Sequence, residues 1–253
     1  MSSQIFDAQN GYACSGKNRL SPIYDLPRRL AAELLGVAFL VATIVGSGVM
    51  AEAMTQDAAL MLLCNALATG AMLVVLITTL GPISGAHFNP AVSLVFALKR
   101  DLGWREAALY SAAQLSGGLI GAMTAHLMFA LPILEASLKI RTGGAQWFAE
   151  WVASFGLIAT ILAGIRFEQK SVPWLVGLYI TAAYWFTAST SFANPAVAIA
   201  RAFTNTFSGI RPLDAPGFIA AELVGAACGL LLMNWLLHTP ADTIPSLNSE
   251  ARL

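Results

Sequence analysis

The chain has 253 residues, 57% of them hydrophobic and 11% charged, with a mean hydropathy of +0.68, which is too apolar for one soluble domain of this length. Fourteen Lys and Arg balance 14 Asp and Glu; with no basic run or aromatic-basic stripe, this excludes nucleic acid as a partner and points to a lipid bilayer. Three cysteines, Cys14, Cys64 and Cys228, are an odd number in unrelated contexts, so no disulfide framework is expected; Cys64 and Cys228 read as small core residues, with soft-metal or arsenic capture as the alternative.

Residues 1–28 are polar and lack the apolar core of a signal peptide, so they read as a cytoplasmic tail, with insertion by the first span. Apolar runs at about 29–50, 58–80, 104–130, 147–167, 173–191 and 215–238 match the ~20 residues that cross a bilayer. Two shorter runs, at about 89–99 and 194–207, cover only ~15 Å, half the hydrocarbon thickness, and read as re-entrant half-helices. Residues 239–253 form a second cytoplasmic tail. The expected fold is an all-α membrane protein: six transmembrane helices and two half-helices, in a channel domain over 29–238.

Basic residues set the orientation. With the N-terminus inside, Lys17, Arg19, Arg28, Arg29, Lys99, Arg100, Arg105, Arg166, Lys170 and Arg252 are cytoplasmic, against Lys139, Arg141, Arg201 and Arg211 outside. That topology puts the half-helices on opposite sides, so the halves, about 29–130 and 147–238, are inverted repeats. Matched landmarks support duplication. Ala32-Glu33 pairs with Ala149-Glu150, and Ala112 to Leu115 with Gly117 and Gly121 pairs with Ala220 to Leu223 with Gly225 and Gly229. Glycines four residues apart let membrane helices approach closely.

The third landmark is Asn-Pro-Ala-Val, at Asn89-Pro90-Ala91-Val92 and again at Asn194-Pro195-Ala196-Val197. Asn caps a helix start and Pro at the first position gives up an amide that had no partner. In one soluble copy this is an ordinary cap; two copies at mid-membrane are tolerated only when buried or lining a wet cavity. Each Asn side chain then offers an amide donor, and the loop carbonyls of Gly85, Ala86 and His87, and of Thr190, Ser191 and Phe192, form acceptor ladders for small neutral solutes.

The run Ser84-Gly85-Ala86-His87-Phe88-Asn89-Pro90-Ala91-Val92 resembles the first signature of the major intrinsic protein family, the aquaporins and aquaglyceroporins, and the likeness extends over about 28–238. It implies six helices plus two half-helices, a homotetramer with one pore per subunit in the inner (plasma) membrane, passive flow of water or small uncharged solutes, no catalysis and no cofactor. The family's outer filter falls by spacing on Thr69, Ala182, Ser191 and Val197. Water-selective members carry Phe, His, a small residue and Arg there, and glycerol facilitators Trp, Gly, Phe and Arg. This chain has neither set, so a wide, uncharged constriction is expected. It resembles a bacterial aquaglyceroporin branch associated with arsenic resistance, with arsenous acid and methylated arsenicals as implied cargo beside glycerol and water. Arg201, four residues after Val197, reads chiefly as an interfacial arginine that snorkels, with a vestibule role as the alternative.

By the same resemblance Glu33 and Glu150 accept hydrogen bonds from the pore loops, with a proton relay as the alternative; Glu222 takes the place of Gln114. His87 reads as a loop anchor or a pH gate, and no metal-ligand spacing is present. Competing readings are a secondary transporter with a midplane site, a water-selective channel, and a junction or scaffold protein with a vestigial pore.

Overall fold

The structure is a computed structural model that describes residues 6–7, 12–15, 19–22 and 24–238. Three short strands, Phe6–Asp7, Tyr12–Ser15 and Arg19–Pro22, pair as an antiparallel sheet within the segment read as a tail. The channel domain follows as α1 (Leu26–Met54), α2 (Ala58–Ser84), α3 (Pro90–Leu98), α4 (Trp104–Met128), α5 (Gly144–Phe167), α6 (Val172–Phe186), α7 (Pro195–Arg201) and α8 (Ala215–Leu236). The channel domain is all-α, with six transmembrane helices and two half-helices in an inverted repeat. By length and composition alone α1, α2, α5 and α8 suffice to cross a membrane.

The remaining two spans show why. Helix α4 carries buried Gln114 and His126, which lower its apolarity. At 15 residues, α6 is ~22 Å long. The apolar run expected to continue to residue 191 stops as helix at Phe186, where the Thr187 hydroxyl caps back onto the Ala183 carbonyl at 2.6 Å. Likewise α7 ends at Arg201 instead of running to 207. The backbone beyond it leaves helix to pair with the α4–α5 connection: Ser137 N donates to Ala202 O at 3.0 Å, Glu135 N to Phe203 O at 3.1 Å and Arg211 N to Lys139 O at 2.7 Å.

Local chemistry starts the helices. The Asp25 carboxylate accepts from Arg28 N ahead of α1, and Asp57 accepts from Ala59 N and Leu60 N ahead of α2, satisfying amides that helix starts leave free. Packing then repeats across the halves: α1 lies along α4 as α5 lies along α8, while α3 and α7 each reach the opposite half and touch one another. Glycines make the two long contacts possible. A Cβ at Gly117 or Gly121 would overlap the Leu34 or Ala38 carbonyl oxygen, and one at Gly225 the Trp151 carbonyl oxygen.

The exposed belt is apolar, with Leu67, Trp104, Trp174, Leu213, Leu231 and Trp235 all open, as lipid contact requires. Cys228 is half-buried, but Cys64 is exposed rather than in the core. It sits on the outer face of α2, where a small apolar side chain meets lipid without penalty.

Candidate functional site

The two Asn-Pro-Ala segments meet at the centre. Asn89 Oδ1 accepts from Ala91 N at 2.8 Å and Asn194 Oδ1 from Ala196 N at 3.0 Å, so each caps its own half-helix. Each side-chain amide also crosses to the other loop: Asn89 Nδ2 donates to Ala193 O at 2.6 Å and Asn194 Nδ2 to Phe88 O at 2.8 Å. A carboxamide has two N–H donors. One is therefore spent on locking the tips together, a use that the isolated motif does not reveal, and one remains on the cavity side.

Strained backbone leads into both caps. Counting back from each Asn, the residues one and three positions earlier are left-handed: Phe88 (φ 49°) and Ala86 (φ 49°), and Ala193 (φ 49°) and Ser191 (φ 48°). Such conformations cost about 1–3 kcal/mol each outside glycine and persist because buried carboxyls hold the amides. Glu33 accepts from His87 N at 3.0 Å, Phe88 N at 2.7 Å, Ser84 Oγ at 2.6 Å and Gln114 Nε2 at 2.7 Å. Glu150 accepts from Phe192 N at 2.9 Å and Ala193 N at 2.7 Å. With the amides turned to the glutamates, no N–H among the described residues donates to the carbonyls of Gly85, Ala86, His87, Thr190, Ser191 or Phe192. Where Gln114 meets Glu33 in the first half, the second half places buried Glu222, whose carboxyl oxygens have no hydrogen-bond partner among the described residues.

A cavity of about 1060 Å³ runs past both Asn residues. One mouth lies among Arg100, Asp101, Gln169 and Lys170, and the far end reaches Thr69, Ser191, Val197, Tyr184 and Arg201. Gly85, Ala86, His87 and Phe192 line it; Thr190 does not, its hydroxyl instead accepting from Arg141 Nη1 at 3.4 Å behind the wall. His87 is fixed by Ser93 Oγ at 3.1 Å and by the rings of Phe96 and Tyr110.

Two expectations about the constriction are corrected. Ala182 is exposed on the outer face of α6 and off the cavity; the helix turns Val176, Ile180 and Tyr184 inward instead, a four-residue spacing that fixes one face. Counting from the motif misplaced that position because the turn after α6 sets the phase. Tyr184 brings an aromatic ring, its hydroxyl 3.3 Å from Thr69 Oγ1. Nor does Arg201 snorkel. It is 2% exposed and lines the cavity, its Nε donating to the Ser208 carbonyl and its guanidinium 3.4 Å over the Phe192 ring. The far end of the cavity therefore holds a ring and a charge. The signal for Arg201 was present in its i to i+4 relation to Val197, but which face of α7 meets solute is a tertiary fact.

The far rim is braced by Asp214, ahead of α8, which accepts from Arg141 N at 2.9 Å and Arg211 Nη2 at 2.7 Å. Burial pushes its carboxyl up, but the Arg211 hydrogen bond, the Arg141 amide and the Arg211 charge outweigh burial and hold it below the ordinary 3.8. A depressed acid stabilises the fold above its unfolded value and loses that contribution as pH falls through the folded one. The stability gap between the unsubstituted protein and Asp214→Asn, read by thermal melting in detergent, should persist at pH 7 and close only below pH ~3.9.

Residues 23–183 match the major intrinsic protein family. The chain is 65% identical over 227 residues to the aquaglyceroporin AqpS of Rhizobium meliloti, covering 90% of this chain and 97% of that protein. It is 30% identical over 160 residues to the probable aquaporin NIP4-2 of Arabidopsis thaliana, covering 62% of this chain and 56% of the relative. The fold matches the X-ray structure of the aquaglyceroporin from Plasmodium falciparum with a TM-score of 0.67 at 18% identity, over 84% of this chain and 97% of that one. With its paired Asn-capped half-helices and the cavity between them, the chain belongs to the major intrinsic protein family, as an aquaglyceroporin-like membrane channel for small neutral solutes and not an enzyme.

Proposed function

We propose that the channel conducts neutral metalloid acids, arsenous acid above all, together with methylated arsenicals, glycerol and water, as a homotetramer in the plasma membrane with both termini inside. Asn89 to Ala91 and Asn194 to Ala196 form the central donors, the loop carbonyls the acceptor rows, and Thr69, Ser191 and Val197 with Tyr184 the outer constriction. The observation that carries this reading is one cavity passing both Asn residues whose only acidic lining residue is Asp101, at the mouth. A carrier with a midplane site commonly couples to an ion held there, and among the described residues no carboxylate lines the middle of this cavity. A neutral polyol exchanges water for carbonyls and amides along such a wall without being stripped of hydrogen bonds.

The test is uptake into proteoliposomes of purified protein across water, glycerol, arsenous acid and a methylated arsenical. Flux is expected to be non-saturating and to follow the gradient; accumulation against a gradient would mark a carrier, and no flux a scaffold. Val197→Arg narrows the ring opposite Thr69 and should cut methylated arsenical flux on the order of tenfold, with a smaller effect on water. Equal losses for both would remove Val197 from the constriction.

A further inference from the structure

The two halves of the bundle finish differently. In α4 the glycines that meet α1, Gly117 and Gly121, are followed one turn on by fully buried Ala125, whereas in α8 Gly225 and Gly229 are followed by Met233. A side chain of that length does not let backbones approach as glycine does. Past Gly229 a cavity of about 480 Å³ lies between the last turns of α5 and α8, within the ~300–1,000 Å³ of small-ligand sites.

Its lining is amphipathic. Leu162 and Met233 are buried and apolar, while Lys99, Arg166, Asn234 and His238 bring polar groups, all exposed except half-buried Lys99. They come from three elements: Lys99 caps α3, Arg166 lies in the last turn of α5, and Asn234 and His238 lie four residues apart at the end of α8. Among the described residues no carboxylate lines this cavity. Lys99 also pairs with Asp101 at 3.0 Å, but half of that carboxylate is open, and such a pair has little weight against a second anion.

The neighbouring Phe167 and Trp235 are each 74% exposed, as expected of rings at the level of lipid headgroups. We propose that the cavity binds one anionic phospholipid from the leaflet on the side of the solute mouth. Lys99 and Arg166 hold its phosphate, Asn234 and His238 meet its headgroup and ester oxygens, and the first carbons of its chains lie on Leu162 and Met233. A guanidinium takes two phosphate oxygens at once, and basic pockets between transmembrane helices select such headgroups. A soluble phosphate would gain nothing from the apolar floor. The lipid sits beside the mouth without entering it, since Ile165 lines both cavities.

The test is titration of the purified protein in neutral detergent with dioctanoylphosphatidylglycerol, dioctanoylphosphatidylcholine and glycerol phosphate, with bound molecules counted by native mass spectrometry and melting followed in parallel. Phosphatidylglycerol should saturate at one molecule per chain and raise the melting temperature; phosphatidylcholine, whose charge is cancelled, should bind ~tenfold more weakly. Glycerol phosphate should do neither, and if it matches the lipid the site holds a soluble phosphate and the lipid assignment falls. Lys99→Gln combined with Arg166→Gln should weaken phosphatidylglycerol binding by on the order of tenfold or more. Arg105→Gln removes an exposed cation outside the cavity and should change nothing. Equal losses in the two variants, or equal binding of both lipids, would reduce the effect to the general attraction of basic helix ends for anionic lipid and overturn the site. Asn234→Trp fills the cavity from an exposed position with both charges intact and should abolish the bound molecule; undiminished binding there overturns the proposal even if the double variant does not fold.

Discussion

Glu33→Ala is expected to give a protein that melts well below the unsubstituted chain in detergent and shows no solute flux above empty liposomes. The carboxyl of Glu33 is the common acceptor for four donors: the amides of His87 and Phe88, the Ser84 hydroxyl and the Gln114 side chain. Without it those donors lose their acceptor in a buried site, at about 1–3 kcal/mol each before relaxation. Left-handed Phe88 loses the carboxylate that holds its amide, and left-handed Ala86 is left on a Ser84 hydroxyl that has itself lost its acceptor; with them goes Phe88 O, the acceptor of Asn194 Nδ2. One substitution in the first half thus unlocks the tip of the second. Glu33→Gln keeps one acceptor oxygen but turns an NH2 toward donors, so it should lie between the two in melting temperature and flux. Unaltered melting and flux in Glu33→Ala would show that the loop is held by packing alone.

Gly121→Leu should be comparably severe, by a different route. A Cβ at Gly121 would overlap the Ala38 carbonyl oxygen, and the neighbouring contact at Gly117 is with the Leu34 carbonyl oxygen. Rigid backbone on a packed helix cannot yield as a flexible side-chain end does, so α4 must withdraw from α1 along its length. Overpacking of this kind costs about 1–3 kcal/mol or more, and close backbone approach is the main attraction between helices in lipid. The same displacement shifts Gln114, which holds both Glu33 and Ser93. Gly225→Leu should repeat the effect in the second half, against the Trp151 carbonyl oxygen. Folded yields of both variants are expected to fall severalfold by size-exclusion chromatography, whereas Gly144→Ala, with open space around its Cβ, should match the unsubstituted protein. Monodisperse Gly121→Leu at full yield would contradict the close-packing account.

The sequence by itself determined the scaffold of this protein. Apolar run length points to full and half spans because bilayer thickness sets a length, although α4 and α6 fall short on length and composition alone; a duplicated cap such as Asn89 and Asn194 reads as a paired helix start because capping is local chemistry. Glu33 and Glu150 were legible for the same reason, as repeated acids in otherwise apolar runs. Tertiary structure decided what the solute meets. Ala182 and Tyr184 are two residues apart on one helix, and only the packing of α6 against α2 turns Tyr184 to the cavity and Ala182 to lipid. Arg201 reads as an interfacial cation until the segment beyond α7 folds back, pairs with residues 135–139 and encloses it over Phe192. Span length and caps are properties of contiguous residues; the direction a side chain faces, and whether it has a partner, depends on elements distant in the chain.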